Sequence, residues 1–317
     1  MSKHPTIATV TLNPAIDQTV QIPDFAAGDV NRIAEQQLDA GGKGVNVASF
    51  LSHMGHTIAA TGILGADNAG LFEQLFVRQA IADHFVRLPG LTRVNMKIVD
   101  GVKLEITDIN APGLANSQAA LAELEAQIEA LCAAGVETFV LAGSLPADLP
   151  ATIYRDLTEH LKAKGKKVAL DASGPSFAAA LEAGPDIIKP NISELAELVG
   201  RPLSSPQEVV AAAREATAGK VELIAVSMGE QGAIFINKDE VLLAQPPKAN
   251  VKSTVGAGDA MVSGIIDARS KGLSLADLGR LATGFSLGAL GEIGPHLPPR
   301  DTIEAFATQV TIEPLDF

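Results

Sequence analysis

Beyond residue 116, short β-branched runs alternate with amphipathic helical stretches at a nearly regular spacing. Residues 138–142, 167–171, 187–189 and 222–227 form brief, mostly apolar runs, too uniformly apolar for strands with one wet face. Between them, 121–132, 151–164 and 206–218 carry helical patterns, and further helices start near Ser173 and Asn191. Strands joined by helices of this length predict a parallel sheet covered on both faces. Residues 6–12, stopped by Asn13-Pro14, and 58–64 add two strands near the N-terminus. The expected fold is α/β, a doubly wound and mainly parallel sheet, in one domain spanning 1–317.

Right-handed crossovers bring the carboxyl ends of such strands to one edge, where open sheets bind ligands. Asp17, Gly143-Ser144, Asp171, Lys189-Pro-Asn191 and Ser227-Met-Gly229 fall at those ends. Two regions, 13–39 and 91–110, are too weakly patterned for the central sheet and predict a separate small one. Within the second, Arg93, Asn95 and Lys97 alternate with Val94, Met96 and Ile98, and 103–109 pairs back across Asp100-Gly101. One basic, polar face opposite an apolar one suits a cover over a polar ligand, or an ordinary solvated strand.

Two glycine motifs open helices. Ser253-Thr-Val-Gly-Ala-Gly-Asp259 precedes an apolar helix, so its amides and the dipole end suit an anion, and Asp259 sets a carboxylate beside it. A Gly-rich helix start capped by an acid is the plain alternative. Gly41-Gly42-Lys43-Gly-Val-Asn46 resembles a phosphate loop, but none of the chain's Gly-Lys pairs is followed by the Ser or Thr of a Walker motif. Lys43 at a helix start opposes the dipole, a conflict that a bound anion would relieve. Asn191 and Glu194 have capping-box spacing, which explains them without a ligand.

A net charge of −13 disfavours nucleic acid or an anionic membrane as partner. No apolar run approaches the ~20 residues of a membrane span, the first residues lack a signal peptide's apolar core, and a single cysteine fits a reducing cytoplasm. Cys132 lies on a helical apolar stripe, a core thiol and not a nucleophile. The six histidines show no metal-ligand spacing.

Taken together, Thr11-Leu-Asn-Pro-Ala-Ile-Asp17, Gly41–Asn46, Thr92-Arg-Val-Asn95, Gly143-Ser-Leu-Pro146, Lys189–Glu194, Ser227–Gly232 and Thr254–Asp259 resemble, in order, the motifs of the ribokinase-type (pfkB) carbohydrate kinase family, in its phosphosugar branch. Gly28-Asp-Val-Asn31, Thr107-Asp-Ile-Asn110 and the tail Thr311–Phe317 resemble the members that act on fructose 1-phosphate.

The resemblance implies a ribokinase-like core with a β lid formed by 13–39 and 91–110, through which a homodimer can form. It implies ATP-dependent phosphorylation of a ketohexose phosphate, fructose 1-phosphate to fructose 1,6-bisphosphate, with tagatose 6-phosphate or fructose 6-phosphate as alternative substrates. Asp259 is then the catalytic base and Gly256, Ala257 and Gly258 the anion hole. Asp17, Gly41, Gly42, Lys43, Asn46, Arg93 and Asn95 bind the sugar phosphate, and Lys97 can assist. Asn191, Glu194, Ser227, Gly229, Gly232 and Gly258 border ATP, with Asn191 and Glu194 reaching Mg2+ through water. A neutral nucleoside or sugar substrate is a rival that would not need two cations. A silent sugar-phosphate sensor would not need Asp259, and a dehydrogenase would need the last glycine of GxGxxG, which is missing.

Overall fold

The computed structural model describes residues 4–103, 105–249 and 251–315. Leu104 of the expected hairpin, Asp316 and Phe317 of the tail motif, and residues 1–3 lie outside the described residues. The chain begins β1 (Ile7–Thr11), β2 (Ala15–Gln21), β3 (Glu35–Gly41), α1 (Lys43–His53), β4 (Ile58–Gly65), α2 (Gly70–Arg78), β5 (Ala82–Leu88), β6 (Val94–Asp100) and β7 (Glu105–Ile109). It continues α3 (Leu121–Ala133), β8 (Thr138–Ala142), α4 (Ile153–Ala163), β9 (Lys167–Asp171), α5 (Gly174–Leu181), β10 (Ile187–Ile188), α6 (Ile192–Val199), α7 (Pro206–Thr217) and β11 (Leu223–Ser227). The last elements are β12 (Ala233–Ile236), β13 (Val241–Gln245), α8 (Ala257–Ser270), α9 (Leu275–Leu290), α10 (Arg300–Thr308) and β14 (Thr311–Pro314).

Ten strands form one sheet in the order β14-β13-β12-β11-β10-β9-β8-β1-β4-β5. From β5 to β11 every pairing is parallel; β12, β13 and β14 are added antiparallel. Strand residues divide by parity between two cores. Val140, Ala142, Ala225 and Phe235 pack with α1, α2, α8 and α9, while Phe139, Leu141, Ile224 and Ile234 pack with α3 to α7. Burial on both faces is why these strands are apolar throughout. No helix among the described residues is long and apolar enough to cross a membrane.

The second sheet has the order β3-β2-β6-β7, with β2 and β6 parallel and the outer pairs antiparallel. It holds a small core of its own, Val20, Ile22 and Ile98 with Phe25 and Met96 against them. Buried Asp100 pins its loops together, accepting from the amides of Asp24 (3.0 Å), Phe25 (2.8 Å) and Val102 (2.9 Å).

Three strands, β5, β13 and β14, come in addition to those expected. In β5 the charges of Asp83 and Arg87 interrupt the apolar run, because the strand lies at a sheet edge and Arg87 bonds Asp83 along its own length. Asn13-Pro14 does end β1, but β2 starts at once, so Asp17 lies within a strand of the small sheet and not at the end of a core strand.

Candidate active site

The two sheets enclose a cavity of about 710 Å3 above the carboxyl ends of β1, β8, β9, β10 and β11. Asp17, Gly42, Lys43, Asn46, Arg93, Asn95, Asn191, Glu194, Ser227, Gly256, Gly258 and Asp259 all line it. Gly41 stands behind the wall, where an added Cβ would come 2.4 Å from Asp17 Oδ2. Ala257 starts α8 between the two lining glycines. Gly229 and Gly232 are not in this wall; a Cβ on Gly232 would meet the Ala244 carbonyl at 2.0 Å, so that glycine admits β13.

At one end, Gly256 adopts φ 77°, turning the chain into α8. Ala257 N–H makes only a long bond to the Thr254 carbonyl (3.4 Å), and the amides of Gly258 and Asp259 lie in a first turn that has no intrahelical acceptors. Asp259 is buried beneath this turn and accepts from Asn46 Nδ2 at 2.8 Å. Burial raises its carboxyl to about 6, the charge of Asp171 adds to the rise, and Lys43, Asn46 and Lys189 pull the other way.

Asp171, the last residue of β9, shares Oδ1 between Lys43 Nζ (3.1 Å) and Lys189 Nζ (3.5 Å). Burial opposes its charge, but the two lysines outweigh burial and hold its carboxyl below the ordinary carboxylate range. Lys43 is likewise driven upward: its burial is outweighed by Asp171, Asp259 and Glu194. The conflict between Lys43 and the α1 dipole is thus relieved inside the protein by Asp171. Sequence reasoning placed Asp171 and Lys189 at strand ends but assigned them no role; that position was the available signal.

The opposite end is cationic. Arg93 donates to the carbonyls of Asn13 (2.9 Å), Pro14 (3.3 Å) and Ala111 (3.3 Å) and to Ser144 Oγ (3.4 Å). Among the described residues no carboxylate pairs with its guanidinium within 4.0 Å; burial lowers its pKa, and Asp17 partly offsets that. Lys97 lies 3.5 Å from Asp108 across β6 and β7, both lining the cavity together with Ser144, expected at a strand end, and with Asn13 and Asn110, which sequence reasoning had not assigned to the site. Between the two ends, Asp17 is raised by burial against the pull of Lys97, Asn95 and Arg93.

Asn191 and Glu194 form the expected capping box: Glu194 N–H donates to Asn191 Oδ1 and Asn191 N–H to Glu194 Oε2, both at 2.8 Å. Both still line the cavity, and the box uses one carboxylate oxygen of Glu194. Among the described residues no three acid, histidine or cysteine side chains converge as a metal cage. The set does fit a cation carried in by phosphates and mostly hydrated, since Asp171 Oδ2 is buried without a partner close by.

A profile of the pfkB family carbohydrate kinases matches residues 7–301. The chain belongs to the pfkB carbohydrate kinase family. It is 52% identical over 309 residues to a 1-phosphofructokinase of Rhodobacter capsulatus, covering 98% of each chain, and 44% identical over 284 residues to one of Xanthomonas campestris, covering 88% and 89%. A possible 1-phosphofructokinase from Thermotoga maritima superposes with a TM-score of 0.88 at 26% identity, over 98% of this chain and 99% of that one. The protein is therefore a phosphotransferase acting on a hydroxyl, built on the α/β fold of its pfkB relatives.

Proposed function

We propose that this pfkB kinase transfers the γ-phosphoryl group of ATP to fructose 1-phosphate, giving fructose 1,6-bisphosphate. The observation that carries the reading is Asp259. It is a buried carboxylate with a pKa of about 6, set between an anion-binding turn and a cationic pocket in one cavity. A base that titrates near the working pH combines a useful ionised fraction with proton affinity. The names of the relatives at 52% and 44% identity support the choice of substrate.

Asp259 takes the proton from the sugar hydroxyl as that oxygen bonds to phosphorus and the bond to the departing ADP oxygen breaks. The first-turn amides of α8 hold the charge on the transferred group. Lys43 and Arg93 hold the sugar phosphate, while Asp17, Asn46 and Asn95 orient its hydroxyls. Ser227, Gly229 and Gly232 border ATP on the β11–β12 side. Mg2+, when bound with ATP, neutralises phosphate charge, and Asn191 and Glu194 would hold it through water.

The small sheet serves as lid and dimer face in this reading. Leu38, Val94 and Ile109, all on the face that carries Met96, leave it an exposed apolar surface. Light scattering should find a dimer that Leu38→Glu weakens; a wild-type monomer at micromolar concentration would reject the interface.

The deciding assay is coupled ADP release with fructose 1-phosphate, fructose 6-phosphate and tagatose 6-phosphate. Preference for fructose 1-phosphate is expected, and the lack of any ADP release with it would overturn the proposal. Asp259→Asn should abolish turnover while calorimetry still detects ATP binding.

A further inference from the structure

The proposed machinery is divided between the small sheet, which carries Asp17, Asn95 and Lys97, and the turn at Gly256–Asp259. Gly294, Pro295 and His296 touch both. His296 Nε2 lies 3.6 Å from Asp39 Oδ1, whose other oxygen accepts from Gln37 Nε2 at 2.8 Å. Gly294, at φ 80°, sits so close that an added Cβ would come 2.9 Å from Asp39 Oδ2. On the other side, a Cβ on Gly256 would come 3.4 Å from Pro295 Cα. Asp39 is the cross-strand partner of Asp17, the residue assigned to the sugar hydroxyls. Behind the contact lies a second cavity of about 380 Å3, lined by Asp39, Asn46, Ser49, Arg78, Pro295 and His296. Asn46 is the residue that holds Asp259.

We propose that Asp39 and His296 are positioning residues that couple the sugar-binding sheet to the phosphate-binding turn. Neither is assigned to touch substrate. The ion pair fixes where β3 sits against the 294–296 turn, and Pro295 passes that position to Gly256. The cavity behind the pair leaves the turn room to shift when the pair is lost, and its wall includes the side chain that orients the base.

The bridge is pH-sensitive. His296 is pushed above its ordinary value by the Asp39 carboxylate, with Glu292 helping and both burial and Arg78 opposing. Asp39 also faces Asp17 across the strand pair. The charged bridge is therefore complete at mildly acidic pH and is lost as pH rises through the raised histidine value. His296 is about half exposed, so solvent screens the pair and its effect is small.

The test measures kcat and KM for fructose 1-phosphate from pH 6 to 9 in wild type, His296→Gln, Asp39→Asn and the double variant. Wild-type KM should climb about two- to fivefold relative to the variants across this range, the span of an exposed ion pair. The variants should share one profile, with the double no worse than either single. A wild-type profile retained in His296→Gln, or additive effects in the double, would overturn the bridge.

The kinetic arm rests on the kinase reading, so hydrogen exchange provides a second. Exchange in residues 254–258 should quicken in His296→Gln without any substrate, and unchanged exchange there rejects the coupling. A wild-type chain inactive on every sugar phosphate would refute the proposed function, while exchange would still decide the bridge.

Discussion

Asp259→Asn should make the protein more stable at neutral pH even as it removes turnover. Burial sets the carboxyl near 6 in the folded protein against 3.8 in its absence. The folded state therefore binds this proton more tightly than the unfolded chain does. The sign follows from linkage: stability is lost as pH rises from about 4 through 6, and the loss is constant above that. A difference of roughly two pH units corresponds to about 3 kcal/mol. Asparagine carries no charge to desolvate and can still accept from Asn46. In urea unfolding at pH 7.5 the variant should gain up to about 3 kcal/mol, and the gain should shrink to about a third near pH 4.5. A variant that loses stability at pH 7.5, or whose gain does not depend on pH, would show that Asp259 is not held against a desolvation penalty. The account of it as a poised base would then fail.

Arg93→Ala should raise KM for the phosphosugar about 10- to 100-fold, the worth of a charge-assisted hydrogen bond, with kcat little changed; an unchanged KM in steady-state kinetics removes Arg93 from the phosphate end. Glu194→Gln should raise the Mg2+ concentration needed for half-maximal rate and leave the sugar KM alone, as a metal titration at fixed ATP can check. Asp267, fully buried in α8, bonds His56 (2.7 Å), Lys271 (2.8 Å) and Arg300 (3.1 Å), and these outweigh burial to hold its carboxyl far below the ordinary range. Its stabilisation is present above about pH 4 and falls away in acid, so Asp267→Ala should cost about 3–5 kcal/mol at pH 7 by thermal or urea unfolding, and less as pH drops.

The parallel core was legible because burial on both faces imposes one rule on every strand. β8, β9 and the helix α4 between them follow from apolar runs and helical spacing alone. β5 and β14 were not, because an edge strand meets solvent on one side, whereas the short apolar run of β13, Val241–Ala244, is buried like the core strands. Charges such as Asp83 and Arg87 are satisfied at the edge by each other instead of being excluded. In the small sheet the pattern of β2 is weak because Asp17 and Gln18 face the cavity side and solvent while Ala15, Ile16 and Val20 do the packing.

The candidate site was legible to the extent that glycine and a lone acid mark a helix start, and illegible where it depends on charges far apart in the chain. Nothing local to Asp171 says that it will sit between Lys43 and Lys189, yet that arrangement explains the opposite behaviour of two buried carboxylates in one cavity. Asp171, with two lysines on one oxygen, stays ionised and serves as a counter-charge. Asp259, with one asparagine and a like charge nearby, is left protonatable near neutrality. Environments that push two acids apart in this way assign their roles. The lysines tethered to Asp171 are held where an incoming phosphate can share them. The acid denied such a tether is the one able to accept a proton.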